Sequence, residues 1–139
     1  MDIATKRAQE LRSRYLTEAV QTATPAGRLV MLYDALELDL LRADQAFEVG
    51  TDLKEISDRL IHAQEIILTL RETVNPEVWD GAPRLIALYD YLNAELLGAN
   101  LDKDRKRATN VADHVRQLAT AWRQAASQVD GAPAGVGAA

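Results

Sequence analysis

Few side chains in this sequence could do chemistry: two histidines, a repeated tyrosine–aspartate pair and one cluster of cations. A carboxylate-bridged di-iron helix bundle needs Glu-x-x-His on two helices, so that both ligands project from one face. Three residues before His62 stands Arg59, and three before His114 stands Val111, so neither histidine has that spacing. The zinc-protease signature His-Glu-x-x-His, the phosphate loop and the Gly-x-Gly-x-x-Gly fingerprint are missing. There is no cysteine to act as a nucleophile and no Gly-x-Ser-x-Gly turn. Both histidines therefore read as surface residues on polar helix faces. The cations Lys103, Arg105, Lys106 and Arg107 fall at the expected start of a helix, where they oppose the helix dipole. They read as a solvated helix start, with a contact for an acidic partner as the alternative. No catalytic residue, metal or cofactor is expected, and the chain does not read as an enzyme.

The tyrosine–aspartate pair belongs to an internal repeat. Residues 26–44 and 82–100 coincide at ten of nineteen positions, among them Leu32-Tyr33-Asp34 and Leu88-Tyr89-Asp90. A Leu-rich helical composition explains part of this. The matches at Arg28/Arg84, Tyr33/Tyr89 and Asp34/Asp90 go beyond what periodicity requires.

The elements that must position these residues are helices. Thr24 is placed to cap a first long helix with Pro25 as its opening residue, and Gly50 to close it. Asp52 and Glu55 resemble a capping box for a second helix, which should stop near Thr73 because Pro76 disfavours helix at Asn75. After Asp80-Gly81-Ala82-Pro83 a third helix is expected to about Leu97, ended by Gly98 and Asn100. Asp102 is expected to cap a fourth, reaching about Gln128. Helices of this length with short connections make antiparallel neighbours. The fold expected is all-α: an antiparallel up-down four-helix bundle over 24–129. An N-terminal segment, 1–23, would serve as lid or linker and could pack on the bundle. A disordered Ala/Gly-rich tail is expected over 130–139.

Composition agrees. The chain has 139 residues, 47% of them apolar and only 5% aromatic, with Ala and Leu filling the difference. That size can bury one core. The net charge is −5, and acids and bases are interspersed. Nucleic-acid binding, which needs a clustered positive face, is not expected. No apolar run approaches the roughly 18–20 residues of a bilayer span, and the N-terminus has no signal-peptide core. A cytoplasmic protein without membrane insertion is expected.

Helical phase divides each face. In the first long helix Leu29, Leu32, Tyr33, Leu36, Leu40, Ala43 and Phe47 share the core stripe. Val30, Met31, Leu38 and Leu41 fall on a different sector, with Asp34 among them. The third helix repeats the plan, with Ile86 and Leu97 around Asp90. A contiguous outer apolar stripe on a monomer often marks an interaction site. It could be covered by the N-terminal segment, by a second copy of the bundle, or by a foreign helix docking at helical spacing. Scattered surface apolars are the fourth reading.

The order of several blocks resembles the FliS family of bacterial flagellin export chaperones. These are Tyr15, then Val20–Pro25, then Leu29–Leu36, Ala63–Ile67 with Leu70, Leu88–Tyr91, Ala99-Asn100 and Trp122. Ala35 departs from the glycine that often follows Tyr-Asp in that family. The resemblance implies a non-enzymatic helical bundle that binds the disordered C-terminal segment of flagellin. It further implies delivery of that subunit to the flagellar type III export apparatus. The bound segment would become helical on the outer stripes, at Val30, Met31, Asp34, Leu38, Leu41, Ile86, Asp90 and Leu97. Tyr15 and Leu16 would form a removable lid over them. A monomer binding its client one-to-one is expected. Some relatives also meet the anti-sigma factor FlgM. A bundle that dimerises through the outer stripe, as a structural or signalling module, is the alternative.

Overall fold

The computed structural model describes residues 2–22 and 24–131, with side chains described for 2–14 and 24–128. Among the described residues every regular element is a helix: α1 (Ile3–Thr22), α2 (Pro25–Val49), α3 (Leu53–Glu72), α4 (Ala82–Asp102) and α5 (Arg105–Gly131). The local code is visible at the ends. Thr24 Oγ1 accepts the Gly27 amide at 3.0 Å, and Pro25 opens α2. Gly50 takes the left-handed conformation (φ 75°) and returns its amide to the Ala46 carbonyl. Asp52 accepts the Glu55 amide at 3.0 Å at the start of α3. None of these helices is long and apolar enough to cross a membrane.

α2 packs against α3 and α5, and α4 packs against the same two. Cross-helix pairs give the directions. Arg105, at the start of α5, pairs with Asp44 late in α2, whereas Arg123 near its end pairs with Asp34. Between α3 and α4 the pairs are Ser57 with Asn100, Gln64 with Asn93, and Arg71 with Asp90. In each case one index rises while the other falls, so both helix pairs are antiparallel.

The core collects the residues of the stripe predicted for α2 and packs them against α3. Tyr33, Leu36, Leu40 and Ala43 of α2 are buried with Ile56, Leu60, Ala63 and Ile67 of α3. Leu29, Leu32, Phe47 and Trp122 pack at its margin. α2 and α4 face each other diagonally, and the two copies of the repeat meet in the middle. The hydroxyls of Tyr33 and Tyr89 lie 2.6 Å apart, both side chains fully buried. Burial pushes both phenols above the ordinary tyrosine pKa. The repeat is thus a matched pair of core tyrosines joined by a hydrogen bond.

Three expectations are corrected. α4 does not stop at Leu97 and Gly98; it runs to Asp102, and Lys103 (φ 50°) is the left-handed residue that ends it. Gly98 serves a different purpose. A Cβ there would lie 2.1 Å from the Arg107 guanidinium, so its absence lets Arg107 cross α4 to reach Glu95 at 2.8 Å. The cap of α5 is Asp104, not Asp102: its carboxylate accepts the Arg107 amide at 3.3 Å. The basic cluster is not a solvated helix start. Lys103 donates to Ser57 and Asn100, Arg105 to Asp44 and Glu48, and Arg107 to Glu95. These cations tie the α4–α5 turn to the other three core helices.

α1 meets α2, and residues 2–14 are exposed throughout, Ile3 and Leu11 included. That half of the N-terminal segment does not pack over the core helices. The side chains of Tyr15 and Leu16 lie outside the described residues, as do residues 132–139 of the tail.

Candidate protein-binding groove between α2 and α5

The outer sector of α2 opens onto a groove of about 500 Å³ along its seam with α5. The sequence explains the trough. α2 presents Leu38 and Leu41, while the α5 wall includes the small residues Ala108, Thr109 and Ala112. Small side chains on one wall against large ones on the other leave unfilled space. Leu38 is 44% exposed and Leu41 54% exposed, so much of this surface remains in water.

Charge lines the rim. At one end Arg123 donates to Asp34 and to Glu37, each at 2.6 Å. At the other, Arg105 reaches Asp44 at 2.8 Å and Glu48 at 2.5 Å. Arg105 holds the Asp44 carboxyl below its usual range, chiefly through the hydrogen bond. Arg116 pairs with Asp113 along the side. Exposed pairs of this kind add little stability, typically below about 1 kcal/mol. They frame an apolar floor with polar edges, the arrangement in which a docked amphipathic helix buries one face and keeps the other wet.

The predicted site residues do not form one surface. Asp34, Leu38 and Leu41 line the α2–α5 groove. Val30 and Met31 are half-buried rather than open. On α4, Ile86 is half-buried, while Leu97 is 50% exposed and Asp90 is paired with Arg71 at 2.6 Å. By helical phase, Leu97 and Asp90 fall on the outer side of the α3–α4 seam. Ile61 and Leu68 of α3, also exposed, fall on the same side. Because α2 and α4 are diagonal, these are two separate apolar strips on different sides of the molecule. Asp34 and Asp90 share a role: each anchors an arginine of a neighbouring helix.

Periodicity did not point to Asp39, Arg123 or the small residues of α5. Asp39 is buried on α2, its carboxylate hydrogen-bonded to His62 Nδ1 and 3.9 Å from Arg59. His62 is therefore not merely a surface residue. His62→Ala leaves the buried carboxylate with Arg59 alone, and is expected to lower stability by about 1–3 kcal/mol in urea unfolding. An unchanged midpoint would show that Asp39 does not depend on the imidazole. The alanines at 108 and 112 were the one available signal for the groove: consecutive small residues on one face of a long amphipathic helix.

Among the described residues no cluster of three or more His, Asp or Glu is placed to hold a metal ion. The groove's lining offers apolar contact and ion pairing.

The comparisons with known proteins agree on one family. The family profile described as "Flagellar protein FliS" matches residues 7–129. The chain is 33% identical over 111 residues to the "Flagellar secretion chaperone FliS" of Bacillus subtilis (strain 168), covering 80% of this chain and 82% of that protein. To the protein of the same description from Salmonella typhimurium it is 33% identical over 108 residues, 76% of this chain and 79% of that one.

Proposed function

The chain belongs to the FliS family of flagellar proteins, and on that premise we propose that it holds the disordered C-terminal segment of flagellin. It prevents premature polymerisation in the cytoplasm and delivers the subunit to the flagellar type III export apparatus. It is not an enzyme. The observation that carries this reading is the α2–α5 groove, an open apolar trough with ion-paired edges in a chain similar to secretion chaperones.

In this reading α2 to α5, within 24–129, form an up-down-up-down antiparallel four-helix bundle. The closed ring of helix contacts supports it. The client segment folds on binding. Its ordering costs about 2–5 kcal/mol or more, offset by burial over a long wrapped surface. Leu38, Leu41 and Asp34 receive one part of it. Leu97, Ile86 and Asp90 receive another on the α3–α4 side, and Val30 and Met31 support the first. The segment 1–23 acts as a lid through Tyr15 and Leu16, lowering the client's apparent affinity by occupying its surface.

Size-exclusion chromatography with and without a flagellin C-terminal fragment tests this. A monomer that shifts to a one-to-one complex is expected, and deletion of residues 1–17 should tighten or leave unchanged the binding. A stable dimer indifferent to the fragment would favour a dimerising module instead. Loss of binding on the deletion would make the segment part of the site. The anti-sigma factor FlgM is a second partner this reading admits, tested on the same column in place of the fragment.

A further inference from the structure

The charges on the rim of the α2–α5 groove do not balance. Four carboxylates line it, those of Asp34, Glu37, Asp44 and Asp113, against the guanidiniums of Arg116 and Arg123. Pairing leaves the difference at the two ends. At one end Asp34 and Glu37 share the single Arg123. At the other, Asp44 and the neighbouring Glu48 share the single Arg105. Arg116 and Asp113 cancel each other on the α5 wall. One negative charge therefore remains at each end, both times on the α2 lip. The side chains that carry it are accessible: Glu37 is 30% exposed and Glu48 71%.

Carboxylates on a helix surface are ordinarily just solvated. These differ because an apolar floor lies between them. Glu37 adjoins Leu38, and Asp44 stands one turn beyond Leu41 on the same face. A helix lying over the two leucines therefore extends over both acidic ends and strips water from them. A carboxylate taken out of water without a partner costs far more than an exposed one. A segment with a cation at each end offsets that cost, whereas one with acids there adds like-charge repulsion. The imbalance discriminates between segments that the apolar floor alone would accept equally.

The spacing follows from α2. Asp34 and Asp44 are ten residues apart, Glu37 and Glu48 eleven. At 1.5 Å per residue the two ends are separated by about 15–16.5 Å. A helix docked along the groove has the same rise, so its matching positions are also ten or eleven residues apart. That is about three turns, which returns both positions to one face.

From these observations we infer that the α2–α5 groove selects a segment with two basic side chains, ten or eleven residues apart, bracketing its apolar stripe. This rests on the chaperone reading above and names the chemistry of the segment held there. The leucines supply contact with any amphipathic helix. The two acidic ends set which helix is accepted and how it is aligned along α2.

Calorimetric titration of the full chain with a synthetic peptide of the flagellin C-terminal segment tests this at low and high salt. Affinity should fall about threefold or more between about 50 mM and about 500 mM salt, because partly exposed pairs are screened. In the double variant Glu37→Gln, Glu48→Gln, each guanidinium keeps one aspartate and the surplus charge is gone. Its affinity should lie about fivefold or more below wild type at low salt, with most of the salt dependence lost. Circular dichroism verifies its fold, and the salt series on the unmodified chain decides independently of it. A variant that binds as well as wild type or better, or a wild-type affinity indifferent to salt, would overturn the cation pairing and leave the groove standing. Two designed amphipathic helices with one leucine stripe, their lysines eleven or seven residues apart, test the spacing by displacing the bound peptide. The first should compete better, and equal competition would overturn the spacing. No binding of the flagellin peptide to the wild-type chain at either salt would overturn both the pairing and the chaperone reading.

Discussion

Leu38→Asp will leave the helices folded and weaken the flagellin segment by at least about tenfold. The side chain is 44% exposed on the lip of the α2–α5 groove, so its loss leaves the core intact. A docked helix would cover the remaining apolar surface, and full burial of a leucine is worth about 1.5–3 kcal/mol. The substitution forfeits most of that. It also places a carboxylate beside Asp34 and Glu37, which must be desolvated when the groove is covered. Circular dichroism and calorimetry on the purified variant separate the two effects. A molten or unfolded variant would mean that Leu38 is structural. A folded one with wild-type affinity would remove the groove from the binding surface.

Tyr89→Phe and Tyr33→Phe will each cost about 1–3 kcal/mol of stability, whereas the double variant will cost much less than their sum. Either single change leaves a buried hydroxyl without its partner 2.6 Å away. Replacing both removes donor and acceptor together while preserving ring volume. Urea unfolding of all four proteins closes the cycle. A coupling of about 0.5–3 kcal/mol between the two positions is expected for groups in direct contact. Additive losses would show that the hydroxyls do not support each other and that the repeat's tyrosines serve only as core volume.

These expectations come from different depths of reading. Thr24, Pro25, Gly50 and Asp52 could be read directly, because a helix end depends on residues a few positions away, and those lie side by side in the chain. The same is true of the core stripe of α2, since burial follows the helical period once the start of the helix is known. Gly98 misled for an equally physical reason. A glycine near a helix end reads as a stop, but this one clears a path for Arg107, a residue on another helix. Arg105 reads as idle surface charge in the sequence because its carboxylate partners Glu48 and Asp44 lie 57 and 61 positions away in the chain.

What the sequence determined alone is the existence of α2 to α5, the caps at Thr24, Gly50 and Asp52, the face of α2 turned inward and the family to which the blocks belong. All of these are carried by neighbours in the chain or by the order of short blocks. Tertiary structure decided where the outer apolar residues go. Only the packing of α5 on α2 turns Leu38 and Leu41 into a groove, and only it brings Arg123 across 89 positions to Asp34. Only the diagonal placement of α2 and α4 joins Tyr33 to Tyr89 while sending Asp34 and Asp90 to different sides. A groove is the space between helices, and its shape depends on which distant residues are small where their neighbours are large.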